Sequence, residues 1–235
     1  MNTKKKTETV LGEKIPLVGR TKELDNLKKK LFSRGDSHAV YFVASGGVGK
    51  TRILLELVGM VNQAGAGYLS TGIVDLYHTD NHSPSDLERI LVERLDPENK
   101  YFLRYRDQRK EYTLLRELGA GTDTLERMRA QLAQIFKEEW GRLANEQRKL
   151  VIIFDTIELL QYESSKVEEY AGLDSINARI KPWMLDVLPD LPNLLVVFAG
   201  RPKTGSSDQS FDHQTKLETD LRKAFHDDRL EIFRL

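Results

Sequence analysis

Residues 39–51 read Ala39-Val40-Tyr41-Phe42-Val43-Ala44-Ser45-Gly46-Gly47-Val48-Gly49-Lys50-Thr51. The first six residues are apolar almost throughout, which suits a short strand covered on both faces, as in a parallel sheet. Three glycines then interrupt the run, and Lys50 to Val61 continues with helical spacing. From Ala44 onward the segment follows the phosphate-loop pattern G-x-x-x-x-G-K-[ST] at seven of its eight positions, with Ala44 in place of the first glycine. Each position has a physical task. Gly46, Gly47 and Gly49 permit backbone turns that a β-carbon would block. Successive backbone N–H groups then converge on an anion, helped by the positive end of the following helix. Lys50 supplies a point charge for the β- and γ-phosphates, and the Thr51 hydroxyl is a ligand for Mg2+. Ser45, Gly46, Gly47, Val48, Gly49, Lys50, Thr51 and Arg52 are the candidate nucleotide contacts of this segment.

Working outward, further strands alternate with helices. Thr71 to Tyr77, Leu150 to Phe154, Leu194 to Ala199 and Leu230 to Phe233 are short apolar runs that read as strands two to five. Helices are expected over 21–32, where Leu24, Leu27, Leu31 and Phe32 share a face, over 100–118, and over 123–145. Ser83-Pro84-Ser85-Asp86 is a helix start, with a capping serine, proline at the first helical position and an acid to close the box. Pro182-Trp183 reads as another helix start, and Leu217, Leu221 and Phe225 mark a last amphipathic helix. This alternation predicts βαβ units and a parallel sheet with right-handed crossovers.

A phosphate loop needs an acid on a neighbouring strand to hold the metal's water shell. Asp155 is the first polar residue after Leu150-Val151-Ile152-Ile153-Phe154, so it falls at the carboxyl edge of the sheet, where open α/β sheets bind ligands. Its alternative role is a plain cap after the strand. Thr156 follows directly, so an adjacent acidic base is missing. Glu158, three residues on, is either an ordinary solvated acid or the residue that positions an attacking water.

Composition narrows the class. Lys+Arg and Asp+Glu are both 36 in 235 residues, a formal net charge of +0, which excludes a basic nucleic-acid footprint over the whole chain. Cysteine is absent, which removes disulfides, thiolate metal sites and cysteine nucleophiles. No apolar run approaches the roughly 20 residues of a membrane helix, and the start MNTKKKTETV has no apolar core, so a cytoplasmic protein without membrane contact is expected. Residues 1–15 read as a flexible polar tail and 16–235 as one nucleotide-binding domain. His78 and His82 have the spacing of a helical zinc pair, but they fall between a strand end and the Ser83 cap and read as loop. Trp140 and Trp183 read as core or interface, and the charged stretch 104–118 as a solvated helix face.

Four segments in order, Leu17-Val18-Gly19-Arg20, the ASGGVGKT loop, the strand ending FDTIE and the strand ending FAGRP, resemble the signal-transduction ATPases with numerous domains. These are the AAA+-like P-loop branch that includes NACHT and NB-ARC modules. The resemblance covers about residues 15–235. It implies a three-layer α/β sandwich around a five-stranded parallel sheet of order 5-1-4-3-2, and a Mg-dependent ATP/ADP-binding switch with slow ATP hydrolysis. It further implies that Val18 and Gly19 line the adenine, that Arg20 lies near the nucleotide, and that Arg201 reads the γ-phosphate as sensor 1. An ordinary loop arginine is the alternative for Arg201, and a solvated residue for Arg20. No N-K-x-D tetrad for guanine occurs, which favours adenine. The catalytic set on this reading is Lys50, Asp155, Glu158 and Arg201, and Thr51 and Asp155 hold Mg2+. Relatives continue into a lid or winged helix, so the chain is expected either as a nucleotide-binding core or as a short protein working without that lid. Expected partners are the nucleotide, a further copy of the chain or other protein domains, with nucleic acid disfavoured. Two rival readings are a DNA-associated AAA+ ATPase of the initiator type and a nucleotide-bound interaction scaffold that never turns over.

Overall fold

The computed structural model describes residues 19–35, 37–161, 176–202 and 215–235. Val18, with the rest of residues 1–18, and residues 203–214 lie outside the described residues. The chain runs α1 (Thr21–Phe32), β1 (His38–Val43), α2 (Lys50–Ala64), β2 (Tyr68–Asp75), α3 (Pro84–Leu95), α4 (Leu103–Glu117), α5 (Thr122–Glu146) and β3 (Lys149–Asp155). It continues through a 3-10 helix (Ile157–Gln161), α6 (Ile176–Val187), β4 (Leu194–Gly200), α7 (Lys216–Phe225) and β5 (Leu230–Arg234).

The five strands form one sheet of order β2-β3-β4-β1-β5, and every pairing is parallel. This is the expected order. Burial explains the composition of the strands: β4 is buried at every position, and β3 everywhere but at Asp155. Alternation then divides the core in two. Val40, Phe42, Val151 and Ile153 pack with Leu27, Leu31, Ile53, Leu54 and Leu57 of α1 and α2. Tyr41, Ile152, Phe154 and Phe198 pack with residues of α3, α5, α6 and α7 on the opposite face. Three layers follow, helices on both faces of a twice-covered sheet.

Two expectations need correction. The second strand covers Tyr68–Asp75 instead of 71–77. Its register shifts between Ser70 and Ile73, where Gly72 takes a positive φ of 63° and the Thr71 hydroxyl meets the Ile153 N–H. That irregularity hides the strand's beginning in the sequence pattern, and Tyr77 ends up exposed beyond its end. Pro182 does not start a helix but lies inside α6. Burial of Ile180, Trp183, Met184 and Val187 on one side of α6 offsets the lost backbone bond. The Ser83 cap forms as read, its hydroxyl accepting from the Asp86 N–H at 3.2 Å.

Register places the site. Val43 pairs with Gly200, Phe154 with Phe198, and Asp75 with Asp155, so the carboxyl ends of β2, β3, β4 and β1 align along one edge. β4 lies between β3 and β1, and Arg201 therefore emerges between Asp155 and the glycine loop.

Candidate functional site

The loop between β1 and α2 turns through Gly47 at φ 79° and Gly49 at φ 93°, values an L side chain rarely adopts. Gly49 is also the N-cap of α2, with no side-chain cap and no acid in the first turn, so the positive end of a 15-residue helix faces the loop. Ala44, in place of the pattern's first glycine, is the buried residue just after β1, and its N–H donates to the Gly200 carbonyl at 3.2 Å. Lys50 folds back over the loop, donating through Nζ to the Ala44 carbonyl at 2.7 Å and to the Ser45 carbonyl at 2.9 Å. Partial burial pulls its ammonium below the usual lysine range; Glu158 and Asp155 oppose that shift, and Arg201 adds to it. All three charges are close enough to act on one lysine.

Thr51 and Asp155, 104 residues apart in sequence, meet across the site. The Thr51 hydroxyl donates to Asp155 Oδ2 at 3.2 Å. Asp155 Oδ1 accepts from the Thr156 N–H at 2.9 Å, which fixes the carboxylate with one oxygen on its own turn and the other toward the loop. Thr156 holds a positive φ of 63°, strained for a β-branched residue, and its hydroxyl donates to Asp75 Oδ1 at 2.7 Å. The pair fits a small divalent cation: both donors are hard oxygens, and neighbouring ligands of an octahedral Mg2+ stand about 3 Å apart. No cluster of three or more His, Asp or Glu suited to a metal occurs among the described residues. His82 Nε2 bonds the Leu76 carbonyl at 2.8 Å.

Glu158 sits on the 3-10 helix that follows Asp155. Its side chain is 12% exposed, and Oε1 lies 3.5 Å from Arg201 Nε. Oε2 is buried and accepts from no donor among the described residues. Gly200 closes over it: a β-carbon there would stand 3.1 Å from both the Glu158 main-chain nitrogen and Oε2. The Arg201 guanidinium reaches the other way to the loop, 3.6 Å from where a Gly46 β-carbon would be. Glycine at 200 thus lets the 3-10 helix approach the end of β4. Nothing in the strand pattern singled out Gly200 or Gln161, whose amide donates to the Arg201 carbonyl; only the approach of β4 to the 3-10 helix reveals them.

Of the candidate residues, Ser45, Gly46, Lys50, Thr51, Asp155, Glu158 and Arg201 come together at this edge. Gly47, Val48 and Gly49 complete the loop. Arg20 is engaged locally, Nη1 to Glu23 Oε1 at 3.2 Å, beside Gly19 at φ 79°. Arg52 pairs with Glu56 at 3.0 Å along α2. No described helix is long and apolar enough to cross a membrane.

No curated protein matches the sequence. A solved structure of the Aeropyrum pernix ORC2 protein, in ADPNP and ADP complexes, is similar at 14% identity and a TM-score of 0.49 over 94% of this chain. The chain spans about half of that protein, 48% of its length. A family model, the AAA ATPase domain, matches residues 16–197, and the chain belongs to that family.

Proposed function

We propose that this domain binds adenine nucleotide with Mg2+ at the carboxyl edge of its sheet, hydrolyses ATP slowly to ADP and phosphate, and acts as a nucleotide-dependent switch. The convergence of Lys50, Thr51 and Asp155 from two strand ends carries this reading. Lys50 gives up two carbonyl contacts for phosphate oxygens, a charge-assisted exchange that favours the anion. The loop amides and the uncapped start of α2 hold the β-phosphate without reorganisation. Thr51 and Asp155 would hold the Mg2+, which supplies charge neutralisation between the phosphates. Glu158 orients the attacking water, and Arg201, 3.5 Å from Glu158 Oε1, counters charge on the γ-phosphate. Val18, Gly19 and Arg20 serve the base end, as the family resemblance suggests. The switch role, with a further copy or other protein domains as partners, rests on the resemblance to signal-transduction ATPases.

A non-hydrolysing, nucleotide-bound scaffold is the second reading. One observation favours it: Thr156 occupies the place directly after Asp155, and its hydroxyl turns toward Asp75 instead of the loop. Calorimetry with Mg-ATP, Mg-ADP and Mg-GTP tests the first reading. Lys50→Ala is expected to lose about a hundredfold in ATP affinity. Equal binding by the two proteins overturns the phosphate-loop assignment, and a preference for GTP overturns the adenine assignment.

A further inference from the structure

Gln161 lies at the end of the 3-10 helix Ile157–Gln161, three residues after Glu158. Side chains at i and i+3 eclipse on a 3-10 helix, so Gln161 and Glu158 share one face, directed at the end of β4. The Gln161 amide bridges two strands. Nε2 donates to the Arg201 carbonyl at 3.3 Å and reaches the Tyr41 hydroxyl at 3.5 Å. The Arg201 carbonyl can only accept, so the amide nitrogen must face it, and the amide's orientation follows from chemistry. Oε1 is left buried without a donor among the described residues. Tyr41 is wholly buried in β1, three residues before the glycine loop, and burial raises its hydroxyl well above the ordinary tyrosine range, so it stays neutral. Glu158 and Arg201 meet at 3.5 Å, with the Arg201 side chain 64% exposed. A largely exposed guanidinium on the first residue past a strand keeps wide rotamer freedom, and its 3.5 Å contact with Glu158 holds it only loosely. Its main chain is fixed by Gln161.

We infer that Gln161 is a positioning residue for Arg201: by tying the Arg201 main chain to β1 through Tyr41, it holds the guanidinium between the glycine loop and Glu158, where it distinguishes a nucleoside triphosphate from a diphosphate. This rests on the proposed nucleotide site, and it goes beyond it in naming a residue that touches neither nucleotide nor metal. Gln161 then acts on γ-phosphate recognition and leaves the β-phosphate grip of Lys50 alone.

The test measures affinities of the full chain for Mg-ADP and for a non-hydrolysable Mg-ATP analogue by calorimetry. The variants are Gln161→Met, Arg201→Ala and their double mutant. Methionine keeps the length of glutamine and removes only its hydrogen bonds. Gln161→Met is expected to weaken analogue binding about tenfold while ADP affinity stays within about twofold. Arg201→Ala is expected to do the same, and the double mutant to lose no more than either single. Tyr41→Phe, which keeps the buried ring, is expected to reproduce part of the loss. Additive losses, equal losses for both nucleotides, or no change in Gln161→Met overturn the assignment of Gln161 while leaving nucleotide binding intact. Wild type binding neither nucleotide, or Lys50→Ala binding as wild type does, overturns the nucleotide site itself and this inference with it.

Discussion

Two polar regions of the molecule treat buried carboxylates in opposite ways. In the helical block between β2 and β3, each is spent on structure. Asp96, 2% exposed, accepts from the N–H groups of Lys100, Tyr101 and Phe102. Glu139 of α5, 1% exposed, accepts from the Arg104 and Tyr105 N–H groups and so caps α4 from a neighbouring helix, since Phe102 offers no side-chain cap. Glu88 of α3 accepts from the Trp183 indole at 2.7 Å. At the carboxyl edge of the sheet, Glu158 keeps one oxygen buried without a donor among the described residues, and Thr51 and Asp155 touch only through a 3.2 Å contact. Satisfied buried polar groups stabilise a fold and unsatisfied ones cost it stability, so the carboxylates of the helical block hold the fold together and those at the sheet edge contribute less to it.

This contrast can be broken most sharply at Glu139. Glu139→Ala leaves two N–H groups of α4 without acceptors and is expected to cost about 3 kcal/mol in urea denaturation, with nucleotide affinity unchanged. A loss under about 1 kcal/mol would mean that the cap is dispensable.

Glu88 gives a smaller, pH-dependent effect. Burial pushes its carboxyl up from 4.5 to about 7, against the bonds from Trp183 and Tyr105 and the charges of Arg109 and Arg129. The folded protein then binds more protons than the unfolded chain between these values. Glu88 therefore favours the fold most below pH 4.5, and its contribution fades as pH rises to about 7. Glu88→Gln is expected to flatten that part of the stability profile and to exceed wild type at pH 8 by about 1–3 kcal/mol. Parallel profiles for the two proteins would remove Glu88 as the cause.

The smallest stability change belongs to the site. Glu158→Gln is expected to shift stability by no more than about 0.5 kcal/mol, because its ion pair with Arg201 is long and the arginine largely exposed. Phosphate release by the same variant is expected to fall at least about tenfold. Unchanged release beside intact nucleotide binding would favour the scaffold reading.

Legibility in the sequence followed the range of the forces involved. The glycine loop, the Ser83 cap and the apolar strands are local patterns, each set by residues within one turn or one strand of each other. Asp155 was readable because it is the first polar residue after five consecutive apolar ones, and β3 is buried up to it. The start of β2 was not, because the irregularity at Gly72 depends on pairing with Ile153 across the sheet. Pro182 misled for the same reason: packing of α6 on the core outweighs a local rule.

By itself, then, the order of short apolar runs, glycines and helical stripes determined a parallel α/β sheet with an anion-binding turn after its first strand. Only the tertiary structure decided which residues share that turn. The β2-β3-β4-β1-β5 order sets β4 between β3 and β1, and the side-chain-free Gly200 lets Glu158 approach where Arg201 leaves the sheet. Contacts between residues 104 positions apart, as Thr51 and Asp155 are, depend on strand register and close approach, which no local stretch of sequence encodes.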